Sequence, residues 1–86
     1  MKRSELADSV REFASSTFVK PARSGGKRIV KINAGTVHKG MGYKNRVPLV
    51  VTALETMKFR NDNQLRLVRK EGPGQSTTTT FVFELL

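Results

Sequence analysis

Near the start of the chain, apolar residues recur at helical intervals: Leu6, Val10, Phe13 and, more weakly, Ala14. That spacing predicts a helix over Ser4 to Phe18 with one buried stripe. Ser4 is the expected N-cap, and Glu5 and Asp8 favour the positive end of the helix dipole. The β-branched Thr17 and Val19, followed by Pro21, are expected to end the helix. Lys20 to Gly26 contains Pro21, Ser24, Gly25 and Gly26 and reads as a loop. The period then drops to two. Lys27 to Ile32 is expected to be a short strand with Val30 and Ile32 on one face and Ile29 on the other.

Asn33 is suited to cap a short helix from Ala34 to about Lys39. Gly40 and Gly42 then force a tight turn, because glycine takes positive φ without penalty. Asn45 is a second N-cap candidate, and Pro48 falls in a first helical turn, where its missing N–H costs nothing. Val47, Val50, Val51, Leu54 and Met57 continue as the strongest helical stripe in the chain, predicting a helix to about Met57 or Phe59. Leu49 and Phe59 fall on its outward face. Asn61-Asp62-Asn63 reads as a polar break. Gln64 to Glu71 and Thr77 to Leu85 are expected strands, joined by a flexible loop at Gly72 to Ser76. Pairing them with Leu65 opposite Phe83 and Leu67 opposite Phe81 would put four large apolar groups on one face.

The 86 residues make one domain, 1–86, too small for a deep cleft between subdomains. Charge changes the picture most. Sixteen Lys and Arg stand against seven Asp and Glu, a net +9. The segment through Glu12 is neutral, so the 13 bases and 4 acids from Phe13 onward carry the whole excess. A basic domain attracts polyanions and associates in a salt-sensitive way. Cysteine is absent, which excludes a disulfide framework and a thiolate metal site. His38 is the only histidine and is expected to make a surface or helix-end contact, so neither a metal nor a cofactor is expected. Gly40-Met41-Gly42 lacks the Gly-Lys-Ser/Thr ending of a nucleotide-binding loop. Asp8, Asp62 and Glu71 fall in separate, solvated regions, and nothing supplies a coupled nucleophile and base, so no enzyme activity is expected. No stretch approaches the roughly 20 apolar residues of a membrane span. The expectation is a soluble cytoplasmic protein, nucleoid-associated in a bacterial or archaeal cell.

The expected fold class is α+β, in the order α-β-α-α-β-β with a small antiparallel sheet. This layout resembles the winged helix-turn-helix superfamily over Ser4 to Leu85, without a motif that singles out one family within it. The resemblance implies double-stranded DNA binding by a small regulator of transcription or an accessory factor. The second and third helices would form the helix-turn-helix, and the loop between the last strands would be the wing. Family docking implies that Tyr43, Lys44, Asn45 and Arg46 approach the major groove, with Lys39 beside them. Arg46 suits guanine or phosphate, and Lys44 suits phosphate. Asn45 either caps its own helix or reads a base. Tyr43 either contacts the ligand or fills the turn. In the wing, Arg69, Lys70, Gln75 and Ser76 are the candidate contacts. The outward face of the third helix carries no Arg, Gln or Asn before Arg60, so affinity should come mostly from phosphates.

Two competing functions use the same charge. An RNA-binding protein would need Tyr43 exposed as a stacking platform. A protein-interaction module binding an acidic partner would use exposed Leu49 and Phe59. A homodimer through the neutral N-terminal helix is left open, since no heptad pattern specifies it.

Overall fold

The structure is a computed structural model that describes residues 3–86. It is α+β: helices pack on one side of a three-stranded antiparallel sheet of order β1-β3-β2. The strands are β1 (Ile29–Asn33), β2 (Leu65–Glu71) and β3 (Thr80–Leu85), with β3 in the middle. None of the described helices is long and apolar enough to cross a membrane.

Helix α1 runs Arg3–Ala14 and buries Val10 and Ala14 against the core. The cap expected of Ser4 rests on a side chain outside the described residues. Pro21 does not end the helical course. A π-helical turn, Ser15–Val19, follows α1 directly and leads into α2, Lys20–Ser24. The Lys20 N–H bonds the Ser15 carbonyl, five residues back. That wider turn brings Pro21 in at the first turn of a new α segment, where its missing N–H is tolerated. The expected loop over Lys20 to Gly26 is therefore helical as far as Ser24. Arg23 then ties α2 to the rest of the chain, donating to the carbonyls of Asn63 (2.7 Å) and Leu86 (2.9 Å).

Helix α3 is Ala34–Gly40, and Asn33 caps it as expected, its Oδ1 accepting the Thr36 N–H at 2.9 Å. Helix α4 is Val47–Glu55 and stops short of the expected end. Thr56 leaves the helical region with ψ 148° and begins α5, Met57–Asn63, its Oγ1 accepting the Phe59 N–H at 3.2 Å. The break re-aims the residues of α5. In a continuous helix Phe59 would sit about 140° around from Leu54, facing out. After the break it is fully buried and meets the Phe83 ring edge-on at 5.5 Å. Met57 turns outward instead, 58% exposed. Leu49, expected outside, is buried as well. Asn61-Asp62-Asn63 is the last turn of α5, not a break; the chain leaves that helix at Gln64, which adopts φ 55°.

The hairpin is offset by two residues from the expected register. Leu65 pairs with Leu85 and Leu67 with Phe83, and a bulge at Val68 then brings Lys70 opposite Phe81. The offset keeps Leu67, Phe81 and Phe83 on the core face, because a shift of two preserves the side-chain alternation. Val82 lies on the opposite face by the alternation of β3, and the bulge brings Arg69 opposite it, so that Lys31 and Arg69 pair on either side; Val82 is 1% exposed.

Phe59 distinguishes the broken helix from a continuous one. Phe59→Ala should cost about 3–5 kcal/mol, read as a lower urea midpoint. An outward Phe59 would give little loss. Thr56→Ala should cost about 1 kcal/mol through the lost cap.

Candidate nucleic-acid interface

The turn between α3 and α4 is built by backbone geometry that few residues tolerate. Gly42 takes φ 69° and Asn45 φ 55°; asparagine is among the few non-glycine residues found there. Asn45 is therefore a turn residue and not the N-cap. That position belongs to Arg46, which makes no side-chain capping bond. Its backbone N–H donates instead to Nε2 of His38 at 3.1 Å, so the imidazole carries its proton on Nδ1. The Tyr43 N–H donates to the His38 carbonyl at 3.2 Å, and the Tyr43 ring lies edge-on to the imidazole at 6.4 Å. His38 thus clamps both sides of the turn. Nothing local in the sequence signals this, because the acceptor lies eight residues before the amide it serves.

Tyr43 is half-buried against the core and fills the turn. By contrast, Lys39, Lys44, Asn45 and Arg46 are exposed. Among the described residues the three cations have no ion-pair partner, and the Asn45 amide has no hydrogen bond. Four of the five residues expected here therefore come together with their polar ends free.

Beyond this corner, α4 offers a ligand little. Leu49, Val50, Val51, Ala53 and Leu54 are all buried, and only Pro48 and Thr52 are exposed between Val47 and Glu55. With Leu49 and Phe59 both inside, the apolar contact surface expected for an acidic protein partner is absent from this helix. Tyr43, half-buried against the core, has only part of its ring open to a stacking base.

The loop Gly72 to Thr79 is tied to the start of α3. The first amides of a helix have no intrahelical partner. Here the Ala34 N–H donates to the Thr79 carbonyl (2.8 Å) and the Gly35 N–H to the Thr77 carbonyl (3.2 Å). Gly35 is required for this approach: a Cβ there would stand 2.4 Å from the Thr77 carbonyl oxygen. Thr79, expected within the strand, is a fully buried loop residue whose Oγ1 accepts the Ser76 N–H at 3.0 Å and donates to the Pro73 carbonyl. Ser76 also bonds Thr78 through its hydroxyl (2.8 Å), while Gln75 is exposed at the tip. The loop lies at the first turn of α3 and the cationic corner after its last, about 10 Å apart by the rise of seven residues.

The hairpin cations are committed elsewhere. Lys70 pairs with Glu55 at 3.1 Å and lies over the Phe81 ring at 5.7 Å. Arg69 pairs with Glu71 and Arg66 with Glu84, both at 2.7 Å. The hydrogen bond from Arg69 holds the Glu71 carboxyl below the ordinary carboxylate range; partial desolvation opposes this, and the Arg69 and Lys31 charges reinforce it. Of the four wing residues expected to contact a ligand, Arg69, Lys70 and Ser76 are thus engaged within the fold and Gln75 is free. Lys20, Lys27 and Arg28 are exposed as well. Lys27 and Arg28 lie at the far end of β1 from α3, about 17 Å away by strand rise. These two residues therefore lie apart from the Lys39–Arg46 corner.

Among the described residues no group of three or more His, Asp or Glu side chains is placed to hold a metal ion. Comparison with protein-family models, curated proteins and solved structures finds no match to this chain.

Gly35→Ala should cost about 1–3 kcal/mol by overpacking, with the lowered urea midpoint accompanied by faster amide exchange at Ala34. His38→Phe, which keeps an aromatic ring but removes the acceptor, should cost about 1 kcal/mol. In an NMR titration, Arg69→Ala should return the Glu71 carboxyl upward toward its ordinary range. A depressed carboxyl favours the charged form, so its contribution to stability is present above the ordinary carboxylate range and is lost as pH falls through the lowered value.

Proposed function

We propose that this chain is a winged helix-turn-helix protein that binds double-stranded DNA chiefly through phosphates, as a small regulator or accessory DNA-binding factor. One observation carries the reading: Lys39, Lys44 and Arg46 are exposed and unpaired around one helix-joining turn, while the hairpin cations are neutralised in place. The order of helices and strands, and a sheet in which the hairpin's second strand lies centrally beside β1, suit the layout of that superfamily.

The corner sits at the N-terminus of α4, where the free amide of Asn45 and the fork of Arg46 have the chemistry to meet base edges or phosphate. The exposed strip of Pro48 and Thr52 cannot form bidentate bonds to bases, so sequence discrimination should be weak and depend on groove shape. Gln75 and Gly74 at the loop tip supply a donor and a close backbone approach to the flanking strand. No aromatic is available on the outer sheet face, where Lys31, Val82 and Arg69 pair across the strands; this favours a duplex over the single-stranded bases that stack on sheets.

Fluorescence anisotropy with a labelled duplex, a single strand and a structured RNA, each titrated with salt, tests the reading. Duplex binding should be the tightest and steeply salt-dependent. Lys39→Ala, Lys44→Ala and Arg46→Ala should each weaken it across all sequences and lower the salt slope by about 1. Arg69→Ala and Lys70→Ala should leave the slope unchanged. Tighter binding to structured RNA, or duplex binding indifferent to the corner variants, would sink the proposal.

A further inference from the structure

β1 is an edge strand, and its outward side borders a groove instead of another strand. The Leu85 N–H donates to the Arg28 carbonyl at 2.8 Å. Antiparallel alternation then turns the backbone groups of Val30 and Ile32 toward β3 and those of Ile29 and Lys31 away from it. Across the gap stand Thr17 and Phe18 of the π-helical turn and Pro21 of α2; Lys27, Ile29 and Lys31 form the near wall, and the groove holds about 370 Å³. Ile29 is 44% exposed, one of few large apolar side chains outside the core. Lys20, Lys27 and Arg28 lie close by in sequence, and among the described residues they make no ion pair or side-chain hydrogen bond.

We infer that this groove receives an extended acidic segment of another protein, added to the sheet as a strand beside β1. Three features select that occupant. First, the edge of β1 at Ile29 and Lys31 presents alternating donors and acceptors that a peptide backbone satisfies; the outward N–H of Lys27 before them is already bonded to the Ala22 carbonyl at 2.9 Å. A phosphate backbone offers acceptors only and would leave the carbonyls of Ile29 and Lys31 unmatched. Second, the walls combine apolar Ile29 and Phe18 with unpaired lysines, which suits a strand alternating carboxylates with aliphatic side chains. Third, a second copy of this chain is disfavoured. Pairing β1 with its own counterpart would set Lys27, Arg28 and Lys31 against the same cations, and like charges across a strand pair repel. The groove runs along β1 from Lys27 to Lys31, whereas the Lys39–Arg46 corner lies beyond the far end of α3, so the two can be occupied together.

The test uses the full chain and a blocked peptide of alternating Asp and Val matching the 5 residues of β1. NMR should show saturable binding with slowed amide exchange at Ile29 and Lys31. The double variant Lys27→Glu/Lys31→Glu should bind roughly tenfold more weakly, with circular dichroism verifying that it remains folded. A peptide N-methylated at alternate residues should not bind, and Lys39→Ala, Lys44→Ala and Arg46→Ala should leave peptide binding intact. Equal binding of the methylated peptide would reduce the site to unspecific charge and overturn the inference. So would failure of the Asp/Val peptide to bind while the double variant loses duplex affinity, which would assign these lysines to nucleic acid. A concentration-dependent dimer in sedimentation, abolished by Ile29→Asp, would give the edge to a second copy and overturn it too.

Discussion

Two hydrogen bonds at the start of α3 hold the architecture in relation to the candidate site. Helix amides in a first turn need outside acceptors, and here the hairpin loop supplies them through the carbonyls of Thr77 and Thr79. The arrangement works only because residue 35 has no side chain, so the loop backbone can lie directly against the helix. A glycine that weakens α3 by its own propensity therefore joins the helix to the sheet. With one end of α3 anchored to the loop and the other leading into the His38-clamped turn, the loop tip and the cationic corner take fixed places along a single short helix.

The second constraint is the break at Thr56. Three aromatic rings, Phe59, Phe81 and Phe83, meet in the core at centroid separations of 5.5 and 6.1 Å. Phe59 reaches that cluster only because α5 sets off in a new direction. A helix carrying Leu49, Val50, Val51, Ala53 and Leu54 inward has almost nothing left to present outward. α4 is thus more a core element than a reading head, and the ligand chemistry shifts to the turn that precedes it.

Charge is distributed by the same logic. Lys70 covers the edge of the core beside Phe81 and compensates Glu55, and Arg69 and Lys31 flank Val82 across the sheet. Lys70 and Arg69 use their methylene stems as packing surface and their heads as ion-pair partners. Among the described residues, exposed cations without an ion pair stand both at the α3–α4 turn and at the start of β1. A net charge counted along the chain contains no hint of that division.

Much of the fold was legible in the order of residues: the α+β class, the small antiparallel sheet, the Asn33 cap, the buried Val30/Ile32 face, the Val50-Val51-Leu54 stripe and the turn at Gly42. Each is written in local periodicity or in a residue whose own backbone preference is decisive. The corner Lys39, Lys44 and Arg46 was legible too, as exposed charge next to a glycine turn. The π turn before Pro21, the helix break that buries Phe59, the two-residue offset of the hairpin, the loop folded onto Gly35 and the pairing of Lys70 with Glu55 were not. All of them depend on partners distant along the chain, and a local pattern leaves several arrangements nearly equal in energy until packing selects one.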